Sequence, residues 1–460
     1  MDSTIAGIPR AAIEVMLERE RAEFTARRPR CRALAARGAQ HWLSGVPMHW
    51  MSDWGTPVPL HVEAAQGAEL TDVDGHRYAD FCLGDTGAMF GHSPPAVVAA
   101  LQRQAQHGFT TMLPGEDAAA VGELLARHFG LPRWQVAQTA SDANRAVLRW
   151  ARAVTGRPAV LVFDHCYHGM VDDTFVGLGA DGKVRNRPGL VGQAADLAAH
   201  TRCVEFNDVA ALEAALRVRD VACVLAEPVM TNAGMVLPEP GFLEALRELT
   251  RRHRTLLAID ETHTLSSGPG GYCRVAGLEP DFFIAGKAIA GGFPCAVYGF
   301  TDELEERIRG MLAAKPPGHS GIGTTLAGNP LAMAALRACL EKVMTPAAYA
   351  HMIAMAERLE DGLEQLVEVE RLPWHVQRVG ARLEVGFTRA PPRTGRQSTS
   401  AMPPLLPGTI RLYLLNRGLL ITPFHNMMLM SPATATSAVD RLGSAWAQCV
   451  TDLGLAARPI

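Results

Sequence analysis

Between about residues 115 and 340, short apolar runs alternate with stretches of helical period. The runs are Gln135–Gln138, Val160–Phe163, Val221–Ala226, Leu256–Ile259, Phe282–Ala285 and Ala296–Phe300. Alternation of this kind predicts an α/β fold with a mostly parallel sheet flanked by helices. In such a sheet ligands collect at the carboxyl ends of the strands. Residues 9–40 read as helix, with Ile13 and Leu17 on one face, Phe24 near it, and breaks at Pro29 and Gly38. Within it, Arg27-Arg28-Pro29-Arg30 reads as a solvated face. Ala68–Asp80 reads as a hairpin turning at Asp74-Gly75, and Pro94-Pro95 opens a helix running to about Gln106.

After residue 340 the pattern changes. Residues 340–365 read as a long helix in which Thr345-Pro346 is a start or a kink. Leu383–Phe387 and Ile410–Leu415 read as strands, and Pro391–Pro407, rich in Pro, Gly and Ser, as a mobile loop. The expected division is 1–95 as an N-terminal arm with part of a small domain, 96–340 as a large domain, and 341–460 as a C-terminal small α+β domain.

Composition narrows the function. The chain has 460 residues, 48% hydrophobic and 20% charged, ample for a large core. A net charge of −3 gives no basic field for nucleic acid. No apolar run is long enough for a membrane helix. The nine cysteines are scattered, with no CxxC or Cys/His cluster. That pattern suits reduced thiols in a cytoplasm and implies no metal site.

The chemistry gathers just after the apolar runs. Phe282-Phe-Ile-Ala-Gly-Lys287-Ala-Ile-Ala-Gly-Gly292 is a strand, one lysine and a glycine-rich turn. A lysine there, desolvated enough to lose its proton, suits a Schiff base to an aldehyde cofactor. Asp260 ends an apolar strand, where an unpaired carboxylate is costly. A cationic pyridinium nitrogen would satisfy it, and a capped loop aspartate is the plainer alternative. His263 follows as a neighbouring polar group or a structural histidine. Gln138-Thr139-Ala140-Ser141-Asp142 enters a helix at Arg145–Arg152. Free N–H groups and hydroxyls make an anion site there, or else Ser141 or Asp142 is only an N-cap. Cys166-Tyr167-His168-Gly169 offers an aromatic face for a cofactor ring, or a core tyrosine. Glu227 and Asn232, in Glu227-Pro-Val-Met-Thr-Asn232-Ala-Gly234, offer an acid and an amide to cofactor or substrate, or form a strand-end turn. Trp54, in the aromatic stretch Met48–Trp54, is either a pocket wall or a buried anchor.

These parts, in this order, resemble the class III, fold type I aminotransferases that depend on pyridoxal 5'-phosphate (PLP). Within them the likeness is greatest to the glutamate-1-semialdehyde aminomutase branch. Gly286-Lys-Ala-Ile-Ala-Gly-Gly292 and Gly328-Asn-Pro-Leu-Ala-Met-Ala334 complete the set. The resemblance implies that Lys287 carries PLP and moves the proton, that Asp260 pairs with the pyridine nitrogen, and that Tyr167 stacks on the ring. It further implies Thr139, Ala140 and Ser141 at the phosphate, with His168, Glu227, Asn232 and His263 around the cofactor. Thr325 matches the phosphate-binding threonine that comes from the other subunit, so a homodimer with shared sites is implied. Asp142, Ala140 and Thr324 replace a glutamate and two glycines of the family. His49 and Trp50 stand where the aminomutase branch has a substrate arginine, and His425 replaces its pocket acid. Asn232 stands where ornithine-type relatives carry an acidic gate.

The expected activity is an aminotransferase moving an amino group from an ω-, β- or aryl amino acid or an amine to a carbonyl acceptor. The alternatives are an aminomutase of the glutamate-1-semialdehyde type and a PLP-dependent amino-acid racemase. Arg382 is the candidate carboxylate clamp, or a structural ion pair, with His425 as a further pocket residue. Val171–Gly192, with several glycines, is expected to be a lid.

Overall fold

The computed structural model describes residues 4–401, 404–423 and 425–455. It divides into two units. The larger spans Pro94–Tyr349 with Pro392–Thr399. The smaller is built from the chain up to Ser93, Ala350–Pro391, and the chain from Ser400 on.

A seven-stranded sheet organises the larger unit. In chain order its strands are β1 (Arg133–Ala137), β2 (Ala159–Phe163), β3 (Thr201–Val204), β4 (Val221–Ala226), β5 (Leu256–Asp260), β6 (Phe282–Ala285) and β7 (Ala296–Phe300). Their spatial order is β3-β2-β4-β5-β6-β7-β1. Pairing is parallel from β3 through β6, and β7 runs antiparallel to both neighbours. All of β2 and β4 is buried, which is why those stretches read as unbroken apolar runs. Phe163, Phe206 and Phe242 pack edge to face in the core, with centroids 4.7–5.7 Å apart. The edge strand β3 was not predicted, because Thr201-Arg-Cys-Val204 is short and half polar.

Helix α1 (Ala140–Thr155) follows β1 directly. Its N-cap is Thr139, whose Oγ1 accepts the Asp142 N–H at 3.2 Å, rather than Ser141 or Asp142. Gly156 closes it in the left-handed conformation, φ +70°.

The stretch Val171–Gly192, expected as a lid, is bonded to the loop after β2 and to α1. Val176–Leu178 and Val184–Asn186 form an antiparallel pair. The Leu178 N–H donates to Asp164 Oδ1 at 3.1 Å, and Arg152 pairs with Asp173 at 2.6 Å. The expected loop Pro391–Pro407 contains a helical turn, Gly395–Ser400. Arg396 bonds Asp164 at 3.3 Å, Glu205 at 3.0 Å and the Leu178 carbonyl at 2.9 Å, and Arg393 pairs with Glu239. Residues 402–403 of that stretch lie outside the described residues.

In the smaller unit Arg10–Arg27 and Pro29–Gly38 are helices. Arg28 is not on a solvated face. It is 1% exposed, and its guanidinium bonds the Tyr78 hydroxyl at 2.9 Å and Asn416 Oδ1 at 3.2 Å. The hairpin Glu69–Asp72/Arg77–Asp80 forms as predicted, and Asp74 at its turn accepts the N–H groups of Arg30 and Cys31. Arg382–Gly386 is a strand between His375–Val379 and Met428–Leu429. Ile410–Leu415 is not a strand but part of the helix Leu405–Asn416. Every residue from Thr409 to Asn416 is buried, the polar Thr409, Arg411 and Asn416 among them, so burial on all sides leaves no period to separate helix from strand. Thr345-Pro346 starts the helix Pro346–Val369 rather than kinking it. Among the described residues no helix is long and apolar enough to cross a membrane, and no cluster of His, Cys, Asp or Glu could hold a metal.

Candidate active site

The carboxyl ends of β1, β2, β4, β5 and β6 carry one polar cluster. Asp260, the last residue of β5, is 5% exposed. Its Oδ2 accepts from Asn144 Nδ2 at 2.9 Å and lies 3.0 Å from His168 Nδ1, while Oδ1 accepts the Thr262 N–H at 3.1 Å. Burial opposes the charge, but His168, then Thr262 and Asn144, outweigh it and hold the carboxyl down at about 2. Burial also opposes an imidazolium at His168, yet Cys166 and Asp260 raise it to about 10. The two form a buried ion pair. Asn144 also donates to the His168 carbonyl at 3.0 Å, so one amide fixes both partners.

Around this pair the turn after β2 approaches the start of α1. A Cβ on Gly169 would stand 2.0 Å from Ser141 Oγ, and Gly169 has φ +81°. The Met170 N–H donates to Ser141 Oγ at 3.0 Å. Gly286 approaches from the other side, where a Cβ would lie 2.9 Å from that of Ala140. Ala140 and Ser141 occupy the first turn of α1, whose N–H groups have no intrahelical acceptor. Tyr167 is 40% exposed, leaving ring surface open. Its N–H donates to Glu227 Oε1 at 3.4 Å, and Glu227 Oε2 takes the Thr231 N–H and hydroxyl at 3.1 and 2.7 Å. Burial raises the Glu227 carboxyl above its ordinary value despite nearby His168.

Lys287 follows β6 in the left-handed conformation, φ +48°. That costs a non-glycine residue about 1–3 kcal/mol, so the surrounding fold imposes it. Its Nζ lies 2.7 Å from His263 Nε2.

The structure therefore brings Thr139, Ala140, Ser141, Tyr167, His168, Glu227, Asp260, His263 and Lys287 to one edge of the sheet. Asn232 is exposed and lines a hollow of about 610 Å³ with Asp164, His165, Arg187 and Thr399. Thr325 is exposed, and the adjacent Thr324 donates to Gln138 Oε1 of the same chain at 2.9 Å. Asn144 escaped the sequence reading. The only available signal was an amide on the inner face of a helix, fully buried here.

Three expected substrate residues belong to the smaller unit. Trp54 packs against the cluster of Phe24, Leu70, Tyr78 and Leu412. Arg382 is 1% exposed and donates to the Thr86 hydroxyl. His425 Nδ1 lies 2.8 Å from Glu384 Oε1. Burial lowers the His425 pKa, but Glu384 and Asp85 outweigh it and leave it raised.

The Aminotransferase class-III family is matched over residues 50–442. A glutamate-1-semialdehyde 2,1-aminomutase of Chloroflexus aurantiacus is 36% identical over 352 residues, 75% of this chain and 77% of the relative. The crystal structure of a glutamate-1-semialdehyde-aminomutase from Pseudomonas aeruginosa PAO1 is 50% identical, with TM-score 0.95, over 97% of this chain and 100% of the other. A lysine-to-alanine variant of that protein was crystallised in complex with PMP. An omega-transaminase from Sphaerobacter thermophilus is 27% identical, with TM-score 0.84, over 92% of this chain and 98% of the other.

The residues present suit PLP. A buried anionic Asp260 fits a protonated ring nitrogen, and the open first turn of α1 fits a phosphate. Asn144 Oδ1 is buried without a partner beside the carboxylate. The chain thus belongs to the class-III aminotransferases, fold type I enzymes that work with pyridoxal phosphate.

Proposed function

We propose that this chain is an aminomutase of the glutamate-1-semialdehyde type. It exchanges an amino group between neighbouring carbons of one small amino aldehyde and needs no external acceptor. The observation carrying this is 50% identity along 97% of the chain to the Pseudomonas aminomutase. The relatives favour this alternative over external transamination.

PLP, when bound, supplies an electron sink and a carrier for the amino group. Asp260 is the group that holds the ring nitrogen, and its depressed pKa keeps it anionic across the working range. His168 and Asn144 fix the direction of that carboxylate. Thr139, Ala140 and Ser141 take the phosphate, joined by Thr325 of the partner subunit in a homodimer. Tyr167 covers the ring and Glu227 lines its polar edge, whereas Asn232 faces the hollow beside Asp164 and Thr399. Lys287 bonds the cofactor and moves the proton at the reacting carbons. The nine cysteines, all buried and free, suit a cytoplasmic setting.

A second reading, an aminotransferase, draws support from the smaller unit. His425, whose Nδ1 lies 2.8 Å from Glu384 Oε1, stands where the resemblance gives the aminomutase branch a pocket acid. One experiment separates the two. The holoenzyme is given glutamate-1-semialdehyde with no acceptor, and 5-amino-4-oxopentanoate, the product of the 2,1 exchange, is measured. Formation without acceptor supports the aminomutase. Turnover of amino acids or amines only when a keto acid is added would replace it with transamination. Sedimentation at micromolar concentration tests the dimer.

A further inference from the structure

Two side chains leave adjacent parallel strands at the same level. Asp260 on β5 is in register with Ile284 on β6. His263 lies three residues beyond the first and Lys287 three residues beyond the second. Their nitrogens, His263 Nε2 and Lys287 Nζ, are 2.7 Å apart, within hydrogen-bond range.

Both backbones are held. The Glu261 N–H donates to the Ile284 carbonyl at 2.8 Å, linking the two strands just below the pair. The Glu261 carboxylate then accepts the Tyr272 and Cys273 N–H groups at 2.9 and 2.6 Å and the Thr264 hydroxyl. The His263 carbonyl accepts the Ser266 hydroxyl at 3.0 Å. The histidine therefore sits on a locked turn. Opposite it, Lys287 has a backbone in the left-handed region, while its amine ends a flexible four-carbon stem. Fixing that amine requires a contact at Nζ itself, and His263 supplies one.

We propose that His263 is the positioning residue of Lys287. Its Nε2 holds Nζ whenever that amine is not bonded to the cofactor, and presents it for bond formation and proton transfer. This rests on the reading that Lys287 is the residue that bonds PLP. It also separates His263 from the residues that hold the cofactor itself, because His263 acts through the lysine.

The test is the rate at which apoprotein captures PLP, followed by absorbance above 400 nm, in wild type, His263→Leu, His263→Gln and Lys287→Ala. It is joined by PLP affinity from equilibrium dialysis in Lys287→Ala with and without His263→Leu. His263→Leu slows capture about tenfold or more, as expected for losing one hydrogen bond to an ionisable group. His263→Gln keeps a hydrogen-bonding group and recovers most of the rate. In the Lys287→Ala background, His263→Leu leaves affinity within about twofold, as non-coupled sites do. Unchanged capture in His263→Leu, a glutamine variant no better than the leucine one, or an equal loss of affinity without Lys287 would each overturn the proposal. Wild type that forms no such band, or Lys287→Ala that forms the same one, would overturn the reading of Lys287 instead.

Discussion

Asn144 offers the sharpest test of the cofactor cluster, because its amide makes two buried bonds and touches nothing on the surface. Asn144→Ala removes the 2.9 Å bond to the Asp260 carboxylate and the 3.0 Å bond to the His168 carbonyl. A hydrogen bond to a charged group contributes about 1.5–3 kcal/mol and one to a neutral carbonyl about 0.5–1.5 kcal/mol. For a unit of this size each kcal/mol moves the melting temperature by about 2–4 °C, so the apoprotein should melt roughly 4–18 °C lower. Asn144→Asp is the stronger arm. It places a second carboxylate beside Asp260 in a buried site, where two like charges cannot both ionise. That variant should be the least stable at pH 7 and should regain part of the loss near pH 4. The assay is calorimetry of the three apoproteins, paired with PLP affinity, which should fall in the same order. An alanine variant melting within about 1 °C of wild type, or an aspartate variant indifferent to pH, would refute the account of the cluster.

Other expectations follow from the same geometry. The folded pKa of His168, about 10, lies above its ordinary 6.5, so its contribution to stability is complete below pH 6.5 and is lost as pH rises towards 10. That of Asp260, about 2, lies below 3.8, so its contribution is complete above pH 3.8 and is lost as pH falls towards 2. Apoprotein melting temperature should therefore decline between pH 7 and 10 more steeply in wild type than in His168→Gln. Gly169→Ala forces a Cβ against Ser141 Oγ at a positive φ, and PLP affinity measured by dialysis should fall at least about tenfold, a loss of about 1.4 kcal/mol. Arg396→Met leaves the nearly buried Asp164 facing Glu205 without its guanidinium, and limited proteolysis should then cut within 392–399 faster than in wild type.

Much of the site was legible because its groups fall at strand ends, and strand ends are marked by where an apolar run stops. Asp260 and Lys287 were found in that way, and residues 139–141 by a turn of small residues entering a helix. The roles of other residues were not legible. Asn144 differs in no local way from a capping or surface asparagine. Arg28 sits in a run of arginines that reads as a solvated face, yet its guanidinium is enclosed by Tyr78 and Asn416. Arg382 reads equally as a clamp or a structural group, and its burial against Thr86 became visible only when the strand had neighbours.

What the sequence determined by itself is the α/β alternation, the order of the chemical parts and hence the family and its cofactor. These rest on local facts: run length, turn residues, and residue types at short spacings. Only the tertiary structure decided which distant groups touch. The pairing of His263 with Lys287 depends on the register of β5 against β6, and a one-residue slip would separate them. The helix at Leu405–Asn416 and the docked turn at Gly395–Ser400 likewise depend on what surrounds them. Complete burial erases the hydrophobic period in the first, and ion pairs with Asp164, Glu205 and Glu239, far away in sequence, hold the second.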